Sequence, residues 1–138
     1  MVKPEMITNQ QFEEIKKITS AAVGSMLGFS LKHVGINGSS TEESLALGVK
    51  LGNMLHLKVE ERPGAMFVGG QFEITKAKYL GEHGHLAIGT NFIHRAIAHL
   101  GRCGVQILPE TKAEKDGKLA TVYLDMEIAG FAVHLLQN

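Results

Sequence analysis

The stretch Gly81–Gly101, GEHGHLAIGTNFIHRAIAHLG, decides the fold. It predicts a turn, a short strand that carries His85, a loop, and a helix that begins near Asn91. Side chains alternate along a strand, so His85 shares one face with small residues, whereas Leu86 and Ile88 face the following helix. One imidazole on a face of small residues is typical of a strand that lines a pocket.

The same pattern occurs earlier in the chain. HVGI at 33–36 matches HLAI at 85–88 in residue type, and a polar, glycine-containing segment and a helix-like run follow both copies. The offset of 52 residues suits a supersecondary unit that is used twice. The sequence therefore predicts two modules, at about 31–80 and 81–138, each opening with a histidine on its first strand.

Each predicted module also closes alike. QFEIT at 71–75 and AVHLL at 132–136 are short strands in which a candidate metal ligand stands between apolar neighbours. Extra residues of the second module are assigned to the polar run 110–118, interpreted as an enlarged hairpin loop. Four candidate ligands come from equivalent positions, namely His33, Glu73, His85 and His134.

Within each module the predicted order is strand, helix and three strands, after an N-terminal extension at 1–29 that precedes the repeated domain at 30–138. An amphipathic helix is expected from Asn9, with Gly28 as its C-terminal cap. Ser40 and its neighbours, followed by Glu43, predict a capped start for the helix of module one. The predicted strands are 31–37, 57–62, 65–68 and 71–75, then 84–89, 105–108, 119–125 and 131–136, with helices ending near 55 and 100.

Composition limits the class of protein. A chain of 138 residues with 44% hydrophobic and 20% charged residues predicts one soluble globular domain. A net charge of zero argues against nucleic acid as a partner, and no apolar run reaches the roughly 18 residues that a membrane span needs. The single cysteine, Cys103, excludes an internal disulfide, and we expect a buried, inert thiol in a cytoplasmic protein.

The repeated pattern resembles the vicinal oxygen chelate superfamily, which includes glyoxalase I, extradiol dioxygenases and methylmalonyl-CoA epimerase. The resemblance implies an α+β fold in which two βαβββ modules form an open, cup-shaped mixed sheet around a divalent metal. It implies that His33, Glu73, His85 and His134 hold Zn, Ni, Co, Mn or Fe(II), with His134 at a position where the family usually has glutamate. It also implies a homodimer.

A narrower resemblance concerns the extension. MVKPEMITNQQFEEIKKITSAAVGSMLGF at 1–29 is similar to the C-terminal end of bacterial 2-keto-3-deoxy-6-phosphogluconate aldolase. The whole chain resembles the glyoxalase-like domain that follows this aldolase in some fusion proteins, which implies an aldolase domain as a partner. The strands that carry the aldolase family's Schiff-base lysine are absent from this chain.

Two functions from different classes follow from these resemblances. The first is a metal-dependent enzyme with lyase or isomerase chemistry on a small 2-oxo or 2-hydroxy acid with vicinal oxygens, in which Glu73 is both ligand and catalytic base. The alternative is a non-catalytic small-molecule-binding or regulatory domain associated with a sugar-acid aldolase.

Other polar residues have weaker patterns. His83 and His85 form an HxH pair like that of cupins, but no glutamate follows at the expected spacing. His94 and His99 do not share a helix face, which predicts that both are solvated. Lys78 and its neighbours Lys76 and Tyr79 follow Glu73 closely, so they either contact a substrate carboxylate or phosphate at the mouth of the cup or are ordinary exposed residues.

Overall fold

The computed structural model describes residues 1–138 and contains the predicted duplication. Each module has the order strand, helix and three strands, as the sequence predicted. The first module comprises β1 (Ser30–Asn37), α3 (Thr41–Leu55), β2 (Val59–Glu61), β3 (Ala65–Val68) and β4 (Phe72–Thr75). The second comprises β5 (Gly84–Thr90), α4 (Ile93–Arg102), β6 (Ala113–Lys115), β7 (Lys118–Ile128) and β8 (Phe131–Gln137).

All eight strands form one mixed sheet in the order β2-β3-β4-β1-β5-β8-β7-β6. Within each module the first strand pairs in parallel with the last, β1 with β4 and β5 with β8. The two modules meet where β1 and β5 pair antiparallel. The four strands that carry the candidate ligands therefore lie side by side at the centre of the sheet.

Helix α4 covers one face of the second module, as the apolar side of β5 predicted. Its buried residues Ile93 and Ala96 pack with strands β7 and β8 and with the end of the N-terminal extension. Ile88 of β5 packs against the same cluster. The cluster consists of Leu27, Ile93, Ala96, Leu119, Val122, Leu124, Val133 and Leu135.

Helix α3 is held to the first module by its cap and by a buried hydroxyl. The side chain of Ser40 accepts a hydrogen bond from the backbone N–H of Glu43, which confirms the predicted cap. The buried hydroxyl of Ser44 lies 2.7 Å from the carbonyl oxygen of Ser40 and 2.8 Å from that of Thr75, at the end of β4. Gly52 lets the helix approach β2 closely, because a Cβ there would lie 2.3 Å from Val59.

The N-terminal extension is two helices, namely the predicted one, which begins at Phe12 and not at Asn9, and a short one before it that was not predicted. Helix α1 spans Pro4–Thr8 and α2 spans Phe12–Leu27. Gln10, between them, has a φ of 55°, which a continuous right-handed helix does not allow. Gly28 caps α2 with a φ of 58°, as predicted. The domain boundary at residues 29 and 30 stays a prediction.

The second module departs from the prediction at its outer strand. The residues expected as a strand at 105–108 make only an isolated bridge, from Ile107 to Leu124. Strand β6 lies instead at Ala113–Lys115, inside the run interpreted as a loop. Asp116 and Gly117, with φ of 54° and 70°, form a two-residue turn that folds β6 directly back onto β7. A tight hairpin therefore replaces the enlarged loop.

None of the helices combines the length and the apolarity needed to cross a bilayer.

Candidate metal centre

Strand register brings the candidate ligands to one face of the sheet. Gly35 of β1 stands opposite Glu73 of β4 on one side and His85 of β5 on the other. Ala87 of β5 likewise stands opposite both His33 of β1 and His134 of β8. Directly opposed residues of paired strands point to the same face. Small residues therefore separate the four larger side chains and leave room for them to converge.

The donor atoms of Glu73, His33 and His85 converge closely. Oε2 of Glu73 lies 2.9 Å from Nε2 of His33 and 3.2 Å from Nε2 of His85. The two imidazole nitrogens lie 3.2 Å from each other. His33, His85 and His134 each offer a ring nitrogen, and these three nitrogens lie within 4.8 Å of one another. These three histidines are thus positioned to bind a metal ion.

The spacing fits a transition-metal ion. With metal–ligand bonds of about 2.1 Å, adjacent donors of an octahedral or tetrahedral ion lie roughly 3.0 to 3.4 Å apart. Two of the three separations, both 3.2 Å, lie in this range, and the third, 2.9 Å, lies just below it. Imidazole nitrogen and carboxylate oxygen are also donors that Zn, Ni, Co, Mn and Fe(II) accept. The ligand roles of the four residues stay a prediction.

His85 is held by packing. Its side chain is 4% exposed, and its Nδ1 is buried without a hydrogen-bond partner. Its ring lies over Gly35, where an added Cβ would stand 2.1 Å from Cε1 of the imidazole. Because Nδ1 makes no hydrogen bond, packing positions the ring, which fills the space that Gly35 leaves open by having no side chain.

The electrostatics keep the carboxylate charged and one imidazole neutral. Burial alone would raise the pKa of Glu73, but hydrogen bonds from His33 and His85 and the charge of these imidazoles lower it to about 2. Burial, followed by repulsion from His85 and His33, lowers the pKa of His134 to about 4. At neutral pH, Glu73 is therefore an anion and His134 a neutral imidazole, which are the forms that bind metals.

These pKa values predict how acid affects the metal-free protein. In the unfolded chain a histidine with a pKa near 6.5 takes up a proton as the pH drops below 6.5, whereas buried His134 in the folded protein stays neutral until about pH 4. The free energy of unfolding therefore falls as the pH drops from 6.5 towards 4. Glu73 adds a second loss between pH 4.5 and 2. We expect the free energy of unfolding, from urea titrations in EDTA, to decline below pH 6.5 by at most about 1.4 kcal/mol per pH unit from His134.

The matched control for this decline is His134→Gln, which removes the titrating group. Its stability should fall less steeply between pH 6.5 and 5 than that of the wild type. Equal slopes for the two proteins would show that His134 is not the group responsible.

A cavity of about 530 Å³ opens beside the centre. Glu73 and His85 line it together with Tyr123, while Lys76 and Lys78 lie along its wall, as expected for the mouth of the cup. Lys76 is paired with Glu61 at 2.6 Å, whereas Lys78 is exposed and lies in none of the salt bridges. The cavity therefore offers one uncompensated ammonium group to an anion.

Sequence reasoning missed Tyr123. The residue lies on β7 opposite His134, with ring centroids 4.8 Å apart, so it belongs to the same face as the candidate ligands. Burial, then the charges of Glu73 and Tyr79, raises the pKa of its phenol to about 12. The available signal was its place between apolar Val122 and Leu124, which face the core.

The remaining candidates lie elsewhere. His83 is exposed, contacts Phe131 and takes no part in the cluster. His94 is exposed, as predicted, and His99 is half-buried on the same helix. Cys103 is exposed at the end of α4, 3.9 Å from His99, so the prediction of a buried thiol was wrong. The helix ends at this residue, and its side chain is open to solvent.

Comparison with solved structures identifies the architecture. A hypothetical protein from Bacillus halodurans matches with 21% identity and a TM-score of 0.56, over 80% of this chain and 94% of its own. A methylmalonyl-CoA epimerase from Streptomyces coelicolor, in complex with 2-nitronate-propionyl-CoA, matches with 14% identity and a TM-score of 0.56, over 79% and 94%. A methylmalonyl-CoA epimerase in complex with methylmalonyl-CoA and NH4+ matches with 16% identity and a TM-score of 0.52, over 78% and 93%.

The chain has the glyoxalase-like fold. This confirms the predicted fold class, an α+β protein with an open mixed sheet built from two βαβββ modules. No protein-family model matches the chain, and no curated protein matches it in sequence. Identities of 14 to 21% show the fold alone.

Proposed function

We propose that this glyoxalase-like protein is a divalent-metal-dependent enzyme. It would transfer a proton at the carbon next to a carbonyl group of a small 2-oxo or 2-hydroxy acid. The proposal rests chiefly on the three donor atoms of His33, Glu73 and His85, which lie 2.9 to 3.2 Å apart as the ligands of one ion do. Isomerase chemistry is favoured over lyase chemistry because the named structural neighbours are epimerases.

The proposed ligands are His33, Glu73, His85 and His134, which would hold Zn, Ni, Co, Mn or Fe(II). Three neutral imidazoles and one carboxylate leave an ion of charge +2 with a net charge of about +1, which favours an anionic substrate. An octahedral ion with four protein ligands retains two positions, enough for two adjacent oxygens of one acid. When bound, the metal supplies a positive charge that polarises the carbonyl group.

The residues around the centre support an acid as the substrate. Lys78, on the cavity wall, has no carboxylate partner of its own and can attract a carboxylate or phosphate. Glu73 is the only carboxylate that lines the cavity, and it contacts the imidazoles of His33 and His85. With the metal bound to Glu73, the ion and Lys78 would together attract an anion to the cavity.

Glu73 is proposed as both ligand and proton acceptor. All of its contacts with His33 and His85 use Oε2, which leaves Oε1 as the atom that takes a proton from the substrate. A carboxylate that also binds a metal is a weak base, so it suits only a proton made acidic by a polarised carbonyl group. His134, with a pKa of about 4, is suited to bind the metal as a neutral imidazole.

Exchange of substrate protons with deuterated water tests this function. We expect metal-loaded wild type to catalyse exchange at the carbon next to the carbonyl of at least one 2-oxo or 2-hydroxy acid or hemithioacetal in a screen by NMR. Glu73→Gln should slow this exchange at least 100-fold at saturating metal, in line with the loss of a general base.

The matched control is Glu61→Gln, which removes a carboxylate paired with Lys76 outside the proposed ligand set. Its exchange rate should stay within about 5-fold of wild type. If ligands stabilise the protein without metal and without exchange, the alternative of a non-catalytic binding or regulatory domain is favoured. The homodimer and the aldolase partner stay predictions.

A further inference from the structure

Tyr123 is buried beside the proposed metal centre. It is 8% exposed, and its ring lies 4.8 Å from that of His134 and 6.1 Å from that of His85, measured between centroids. Tyr79 packs edge-on against it at 5.6 Å. Its ring is thus held from three sides.

The hydroxyl group of Tyr123 has no partner in the protein. The one hydrogen bond that Tyr123 makes to a side chain runs from its backbone N–H to Oγ1 of Thr111 and does not involve the phenol. Nδ1 of His85 is the only fully buried side-chain polar atom without a partner, so the hydroxyl group of Tyr123 is not sealed off from the cavity. Tyr123 lines the same cavity as Glu73 and His85, so its unpaired hydroxyl is available to a molecule bound there.

We infer that Tyr123 is a substrate-binding residue whose hydroxyl donates a hydrogen bond to an oxygen of the acid held at the metal centre. The inference rests on the proposed function, because the proposed metal determines where the acid lies. A phenol is protonated at neutral pH and thus remains a donor. This hydrogen bond favours ligands that keep a free acceptor oxygen after two of their oxygens bind the metal. A ligand without such a remaining oxygen gains nothing from Tyr123.

Two small probes separate this role from metal binding. Oxalate offers two adjacent oxygens to a metal and retains further acceptor oxygens, whereas imidazole binds a metal through nitrogen and retains none. We expect Tyr123→Phe to weaken the binding of oxalate to zinc-loaded protein by about 10-fold, the worth of one hydrogen bond to a charged acceptor. The affinities for imidazole and for Zn²⁺ should stay within about 2-fold. Calorimetry on zinc-loaded protein freed of excess zinc measures the affinities for oxalate and imidazole, and titration of the metal-free protein with Zn²⁺ measures the third.

Fluorescence provides a readout that a purely structural role would not change. The chain has two tyrosines and no tryptophan, so Tyr79→Phe leaves Tyr123 as the sole fluorophore. Oxalate should change the emission of zinc-loaded Tyr79→Phe, and imidazole should change it less.

The outcomes distinguish the two proposals. If Zn²⁺ and oxalate bind to wild type and Tyr123→Phe equally and oxalate leaves the emission of Tyr123 unchanged, the assignment is overturned while the metal function stands. If wild type binds no Zn²⁺, the proposed function fails and the assignment fails with it. A selective loss for oxalate supports both.

Discussion

His85→Ala is expected to lower the affinity for divalent metal at least 100-fold and to leave the purified protein without stoichiometric metal. The imidazole of His85 is central to the cluster, since its Nε2 lies 3.2 Å from both His33 and Glu73. Changes even to residues that only orient a ligand reduce metal affinity by about 10- to 100-fold, so removal of a ligand should cost at least as much. His134→Ala should act in the same direction.

Elemental analysis of protein purified without a histidine tag, followed by calorimetric titration with Ni²⁺ or Co²⁺, measures the effect. His83→Ala is the matched control, because His83 lies two residues away in the chain, is exposed and takes no part in the cluster. Its metal content should equal that of wild type. A wild type that stays free of metal after incubation with Zn, Ni, Mn and Fe(II) would refute the proposed centre.

Gly35→Ala is expected to disturb the centre without changing any candidate ligand. The new Cβ would lie 2.1 Å from Cε1 and 2.3 Å from both ring nitrogens of His85, far inside contact distance. The ring cannot swing aside freely, because it is 4% exposed and lies against His134 and Tyr123. We expect a loss of about 1 to 3 kcal/mol in the free energy of unfolding and at least a 10-fold loss in metal affinity.

Two controls isolate this clash. Gly24→Ala, in α2, places its Cβ in open space and should be neutral or stabilise the protein by up to about 1 kcal/mol. In the metal-free protein, Gly35→Ala should cost less stability when His85 is already alanine, because the clashing ring is gone. If the cost of Gly35→Ala is the same in both backgrounds, His85 is not the group that it displaces.

Alternation and turn residues made much of the fold predictable. Several local signals appear in the structure as strands and turns. They are the HVGI and HLAI segments at 33–36 and 85–88, the closing strands around Glu73 and His134, and the paired glycines at 69 and 70. Their repetition indicated which positions are equivalent in the two modules. The structure brings His33, Glu73, His85 and His134 to one face, as this equivalence implied.

The outer strands of the second module were less predictable. Local hydrophobicity favoured a strand at 105–108, yet only Ile107 forms a bridge, and the mostly polar segment Ala113–Lys115 forms β6. An edge strand has one partner and tolerates charged side chains, so its sequence carries little of the apolar alternation that marks a central strand. The turn at Asp116 and Gly117 was the better signal.

Tyr123 shows why part of the site could not be derived from local patterns. The turn at Ala129 and Gly130 pairs Ile128 with Phe131, and continuing that register would place Asp125 opposite His134. An irregularity between Tyr123 and Glu127 shifts the register, so that Tyr123 takes the place of Asp125. Bulges depend on packing across the sheet, which a single strand's sequence does not reveal.

The sequence by itself determined most of the strands and helices and which side chains alternate onto a common face, because these depend on neighbours within a few residues. Only the tertiary structure decided that Gly35 lies between Glu73 and His85 and that the ring of His85 occupies the space above Gly35. It also decided that burial and the neighbouring imidazoles together shift the pKa values of Glu73 and His134. The physical reason is that strand pairing and desolvation join residues far apart in the chain, such as His33 and His134, and their energies exist only once the sheet is assembled.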